Sequence, residues 1–210
     1  HVRFSKLDDE FAIANVRDIT DQRAAEDTQR RLDEENTVMA DIGKVISSSL
    51  DINDVYEHLG EQIKKLIPFD HLSISLINHE ALTTTPKWLF GIHVPGRQPG
   101  SEVPLAGALA GEVVLTRSCV LLELKTSDDV EQSYPLLMPA YNAGLRTFLA
   151  VPLIDRDVVI GVLQIRSNEV GIYGNRYLEL AERIANQIAG TIANSQLYVE
   201  HQRLAEENSV

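Results

Sequence analysis

One stretch constrains this chain more than any other, the segment from Leu145 to Ser167. Two apolar runs, Phe148 to Ile154 and Val158 to Ile165, flank the polar triplet Asp155, Arg156 and Asp157. Runs of that length, rich in β-branched residues and split by a tight polar turn, predict a β-hairpin at the centre of a sheet. Phe148, Ala150, Pro152 and Ile154 fall on one face, and Leu149, Val151 and Leu153 on the other. Both faces are apolar, so both are expected to be covered, one by helices and one by loops over a cavity. Pro152 lacks a ladder donor, which places its nitrogen at a bulge or away from a partner strand. Gly161 leaves room for a close approach by a neighbouring chain segment.

The rest of the chain supplies the covering pieces. Residues 2–19 read as two short strands, Val2–Leu7 and Phe11–Arg17, a hairpin that is marginal by itself. A helix begins near Thr20 or Asp21, either of which can cap it. It runs to about Ser49 without a proline. Ala25, Leu32, Met39 and Ile46 recur with heptad spacing, but of the matching positions Thr28, Glu35, Ile42 and Ser49 only Ile42 is apolar. This half seam suits a partner chain; the other reading is an amphipathic helix lying on its own domain. A second helix, capped by Asp51 or Asn53, buries Val55, Leu59, Ile63 and Leu66 and stops at Pro68.

Strands follow from Phe69 to Ile77 and from about Lys87 to Val94, the latter aligning Trp88, Phe90 and Ile92 on one side. Pro95-Gly96 and Pro99-Gly100 mark a loop. Shorter strands are expected at Glu102–Leu105 and Val120–Leu122, with a helix from Gly107 to Arg117 between them. The segment from Leu124 to Ala143 is irregular, with a short helix that Pro139 can open. A last long helix runs from about Asn175 toward Glu206 and leaves the domain beyond Ser195, where polar residues dominate.

Totals exclude several classes. The 210 residues carry a net charge of −12, which argues against binding nucleic acid or an anionic membrane surface. One cysteine, Cys119, permits no internal disulfide. No apolar run reaches the length of a membrane span, so no direct membrane contact is expected, and a cytoplasmic setting is. The chain starts at His1 without a methionine and is expected to be part of a longer protein.

Three segments resemble the GAF domain. Val103-Pro-Leu-Ala-Gly-Ala-Leu-Ala-Gly-Glu-Val-Val-Leu-Thr-Arg-Ser118 resembles its glycine-rich helix segment, with Gly107 and Gly111 at the usual glycines. Gly144-Leu-Arg-Thr-Phe-Leu-Ala-Val-Pro-Leu153 resembles its strand motif, with Thr147 for the commoner serine, and Gly161-Val-Leu-Gln-Ile165 its later strand. The start is similar to something else: Phe11 to Thr20 looks like the last strand and Asp-Ile-Thr exit of a PAS domain.

The resemblance implies an α+β fold, a GAF-like, PAS-related central antiparallel sheet with helices on one face and long helices at both ends. It divides the chain into a PAS-like remnant (1–20), a signalling helix (21–37), a GAF domain (38–196) and an exit helix (197–210). It implies a sensory module of a multidomain signalling protein, in a histidine-kinase-like context, homodimeric through its terminal helices. The dimer seam is expected at Ala25, Leu32, Met39, Ile42 and Ile46.

The resemblance also implies a small molecule of unknown identity in an apolar pocket, on the sheet face away from the terminal helices, walled by Trp88, Phe90, Val120, Leu122, Tyr134, Tyr141 and Phe148. The alternative is that these side chains fill the space and the domain only dimerises and relays. A third reading, haem or metal sensing through His71, His79 or His93, lacks a spaced ligand set. The acids Asp128, Asp129 and Glu131 are expected to be a solvated loop. No enzymatic reading survives. The cyclic-nucleotide signature is absent, since Lys125 and Asp128 are not in its arrangement. Cys119 has neither the histidine that follows a bilin anchor nor a partner for a resolving disulfide. No cofactor is specified.

Overall fold

The computed structural model describes the backbone at residues 2–8, 11–16, 20–47 and 52–207, and side chains at residues 20–45 and 58–194. The chain divides into two compact units, residues 1–40 and 41–210. The first holds an antiparallel hairpin of β1 (Val2–Asp8) and β2 (Phe11–Val16), then most of helix α1 (Thr20–Ser47). Along α1 the polar surface is self-satisfied: Thr28 and Thr37 donate their hydroxyls to carbonyls one turn back, and Gln22 donates to Glu26.

The expected seam divides. Ala25 is exposed and Leu32 is 43% exposed, whereas Met39 is 7% and Ile42 0% exposed. Among the described seam residues Met39 and Ile42 are buried, and Ala25 and Leu32 are exposed. Both belong to the wider apolar stripe near the end of α1. Ile46, and the caps expected at Asp51 or Asn53, lie outside the described side chains.

In the second unit, α2 (Ile52–Leu66) leads into β3 (His71–Asn78) and β4 (Thr83–Gly91). Then come β5 (Val103–Pro104), α3 (Leu109–Thr116), β6 (Val120–Glu123) and α4 (Ser127–Ser133). A 3-10 turn at Pro135–Leu137 and α5 (Met138–Asn142) precede the hairpin of β7 (Thr147–Asp155) and β8 (Val158–Ser167). Helix α6 (Asn175–Glu207) closes the series. The strands form one six-stranded antiparallel sheet in the order β5-β4-β3-β8-β7-β6, so the hairpin is central, as its two apolar faces require. This is the α+β architecture expected.

Residues opposite one another share a face, which assigns the two layers. Leu72 and Ile74 on β3 lie opposite Ile165 and Leu163 on β8, which in turn oppose Leu149 and Val151 on β7. This face carries the helices: α2 packs on β4, and α6 on β7 and β8. Leu59 and Ile63 of α2 and Ile184 and Ile188 of α6 are among the buried helix residues. The opposite face carries a second core in which Phe148, Ala150 and Val162 pack with Leu109, Val113, Leu124 and Leu137. Gly161 is the close approach anticipated: a Cβ there would lie 2.6 Å from the Ser75 carbonyl oxygen. Pro152 sits beyond Ala150, the last β7 residue that β6 reaches, so its missing amide breaks no bond on that side.

The turn between β7 and β8 places Arg156 at φ 45° and Asp157 at φ 66° between the paired Asp155 and Val158. Positive φ at both central residues is the type I′ geometry, which matches the twist of the strands.

Strand β4 overturns one expectation. Ile74 pairs with Trp88 but Ser75 with Pro86, so Lys87 is an extra, unpaired residue, a β-bulge. A one-residue insertion exchanges faces. Thr84 and Pro86 before the bulge and Leu89 after it face the loop side, while Trp88 and Phe90 turn to the helices. There the two rings pack on Gly60 of α2, whose absent Cβ would fall 2.8 Å from Phe90 and 2.9 Å from Trp88. Phe69 meets Phe90 edge-on, with 5.9 Å between ring centroids. Trp88 and Phe90 lie half-buried on the helix side of the sheet and do not line the loop-side cavity described below.

Candidate functional site

The alternation of β3 brings polar side chains into the sheet. His71, Ser73 and Ser75 face the loop side, opposite Arg166, Gln164 and Val162 on β8. His71, Ser73, Ser75, Gln164 and Arg166 are all buried. They line a partly open cavity of about 40 Å³ together with Thr84, Pro86 and Leu89 of β4 and with Arg97, Leu136 and Ala140 from the covering loops. A cavity of that size holds about three waters or a ligand of a few heavy atoms.

Two loops roof it. Arg97 Nη2 donates to the Leu136 carbonyl at 2.8 Å, tying the segment after β4 to the 3-10 turn. Burial lowers the pKa of the Arg97 guanidinium. Arg166 is only 6% exposed. Its Nη2 donates to Gln164 Oε1, its guanidinium lies 5.5 Å from the Phe148 ring centroid, and its Nε has no partner. Burial first, and the Arg97 charge second, hold its pKa down to about 10, so it stays a cation at neutral pH. Among the described residues no carboxylate lies within ion-pair distance of either arginine. An uncompensated buried cation carries a desolvation penalty of roughly several kcal/mol. Thr84 Oγ1 is buried and unpaired as well.

His71 Nδ1 lies 2.7 Å from the Ile92 carbonyl oxygen. A carbonyl only accepts, so Nδ1 carries the proton and Nε2 of the neutral ring is an acceptor. Burial, and then the nearby charges of Arg166 and His93, push the His71 pKa down to about 4.

Other sequence candidates fall elsewhere. Val120, Leu122, Tyr134 and Tyr141 pack against the loop-side core that contains Phe148, beside the cavity and not around it. Val120 and Leu122 reach that face because they pair with Ala150 and Phe148. Arg146 stacks 3.9 Å over Tyr141 and donates to its carbonyl at 2.7 Å, bracing α5. Asp129 closes a capping box with Thr126 at the start of α4. His79 bonds the Val159 carbonyl at 2.8 Å, and His93 is exposed. Among the described residues no group of three or more His, Cys, Asp or Glu side chains is placed to hold a metal ion.

The Cys119 thiol donates to Glu182 Oε1 at 3.0 Å, bridging β6 to α6. Burial first, and the carboxylate second, push its pKa up to about 12, which suppresses thiolate chemistry. An open, mainly apolar depression of about 640 Å³ borders α3, with Leu82, Leu105, Leu115 and Tyr134 on its walls. It presents no buried cation.

Sequence reasoning missed Arg97, Gln164 and Arg166. The signal available was the alternation itself: Ser73 and Ser75 on one strand, Gln164 and Arg166 on another, polar residues two apart in otherwise apolar strands.

A GAF domain profile matches residues 49–193, more than half of the chain. The chain belongs to the GAF domain family. This GAF domain is 25% identical over 173 residues to the formate hydrogenlyase transcriptional activator of Escherichia coli K12. That alignment covers 80% of this chain but 25% of the relative, so the chain spans about a quarter of the activator's length. Among solved structures, the GAF domain of an Acinetobacter phosphoenolpyruvate-protein phosphotransferase superposes with a TM-score of 0.64 at 19% identity, covering 80% of this chain and 98% of that one. The GAF domain of a Bacillus halodurans two-component sensor histidine kinase gives 0.59 at 21% identity, covering 71% and 99%. These likenesses establish the fold. No helix among the described residues of this GAF domain is long and apolar enough to cross a membrane.

Proposed function

We propose that this GAF domain is a sensory module of a multidomain signalling protein, and that its input is a small molecule held in the polar cavity between β3, β8 and the roof loops. The observation that carries the reading is the placement of Arg166. A buried cation without a counter-charge is retained against its cost where a ligand supplies the missing partner. The likeness to part of a transcriptional activator supports a regulatory role. The upstream PAS-like tail at residues 11–20 and a downstream output domain belong to the same proposal.

The relay follows from strand geometry. Gln164 and Arg166 point to the cavity, whereas Leu163 and Ile165, which alternate with them, face the helix layer, where α6 packs on β7 and β8. A ligand that draws the Arg97 loop toward β8 biases the seating of α6. It does so only as far as it binds one arrangement more tightly than the other. A homodimer joined along the exposed part of α1 would carry that change onward, with Leu32 as its apolar contact.

Native mass spectrometry of the protein from cells, against its denatured mass, tests the reading. The expected result is added mass that is lost on denaturation. A bare chain that no mixture of small metabolites stabilises against heat would overturn it. The same spectrum gives the oligomer, and Leu32→Asp is expected to convert a dimer to a monomer.

A further inference from the structure

We infer that the occupant of this cavity is a small anion, a short carboxylate or an inorganic oxyanion of about four heavy atoms; the inference rests on the cavity being the sensory site. Charge is the first argument. Two guanidiniums converge on the space, Arg166 at 6% exposure and Arg97 from the roof, and no acidic side chain of the described residues answers either. Arg166 Nε, a buried donor without an acceptor, and the unpaired Thr84 Oγ1 add hydrogen-bonding capacity that the fold leaves unused. Guanidinium forks match the planar oxygens of carboxylate and nitrate.

Size is the second argument. About 40 Å³ matches a small ligand rather than a nucleotide or a tetrapyrrole. It admits a planar anion of three or four heavy atoms. The whole-molecule charge of −12 repels anions at long range, so selection has to come from groups inside the cavity and not from steering. Leu89, Pro86 and Ala140 add apolar wall beside the two guanidiniums, which lowers the local dielectric around them.

The test is thermal denaturation and calorimetric titration of the chain with sodium formate, sodium acetate and sodium nitrate, each against sodium chloride at equal ionic strength. At least one of the three is expected to bind saturably and raise Tm, while chloride does not. Arg166→Met is expected to abolish that response without lowering Tm in the absence of anion, because it removes an unpaired buried charge. Arg97→Gln, on a half-buried residue, is expected to weaken binding about tenfold or more. Three flat titrations, or an Arg166→Met variant that responds like the parent, overturn the inference. If the titrations are flat but native mass spectrometry shows an uncharged passenger, the anion is wrong and the sensory reading stands. If neither finds an occupant, both fall.

Discussion

Arg166 and Gln164, two residues apart on one face of β8, are each other's partner in the cavity: Arg166 Nη2 donates to Gln164 Oε1. Gln164 is therefore the neutral acceptor that makes this buried charge tolerable. Gln164→Leu removes it and is expected to destabilise the chain by about 1–3 kcal/mol, since the acceptor served a charged donor. The double variant Gln164→Leu, Arg166→Met is expected to recover most of that loss. Urea unfolding of the two single variants and the double gives the coupling energy. Additive losses would show that the two side chains act separately.

His71 predicts an acid-side loss of stability. Its pKa in the fold is about 4, below the 6.5 of the unfolded chain, because burial and the nearby Arg166 and His93 disfavour its charge. The unfolded state therefore takes up this proton first as pH falls. Stability is expected to drop across pH 6.5 to 4, by about 1.4 kcal/mol per pH unit at the steepest, and to stop changing on this account below 4. His71→Asn keeps a donor for the Ile92 carbonyl and does not titrate. Comparing the two proteins' stability over that window isolates the histidine from the carboxylates, and parallel curves would refute the assignment.

The hairpin turn is unoptimised. Arg156 and Asp157 occupy left-handed backbone, where an ordinary side chain is strained and where an Asn-Gly pair fits. The double substitution Arg156→Asn with Asp157→Gly is expected to stabilise the chain by about 1 kcal/mol. The turn is far in sequence from the roof loops, so ligand response should be unchanged. Denaturant midpoints at constant m-value provide the check.

Cys119 should be slow to alkylate. Its pKa of about 12 leaves little thiolate at pH 8. Iodoacetamide is expected to label the native protein at least about tenfold more slowly than the urea-unfolded chain. Glu182→Gln removes the acceptor carboxylate and should speed labelling of the native form. Equal rates in native and unfolded protein would contradict the hydrogen bond at 3.0 Å.

What the sequence by itself determined was local. The length and β-branching of the runs around Asp155 to Asp157 specified a central hairpin, and Pro68 ended a helix where the apolar stripe ended. Residue types that need no distant partner to be understood, such as Gly161 at a close crossing, were readable in the same way. Tertiary structure decided the faces. One extra residue in β4, Lys87, turned Trp88 and Phe90 from the loop side to the helices, because side-chain direction along a strand counts residues and a bulge adds one. Tertiary structure also decided what α1 does with Met39 and Ile42, which their spacing left open between a partner chain and the chain's own core. The cavity needed both. Ser73 and Gln164 announced a polar stripe within apolar strands, but only antiparallel pairing of β3 with β8 set His71 against Arg166. Only the roof loop brought Arg97 from far along the chain to the same space. A charge is legible in a sequence; that it is buried beside another of the same sign, with no acid among the described residues to answer it, is a property of the packing.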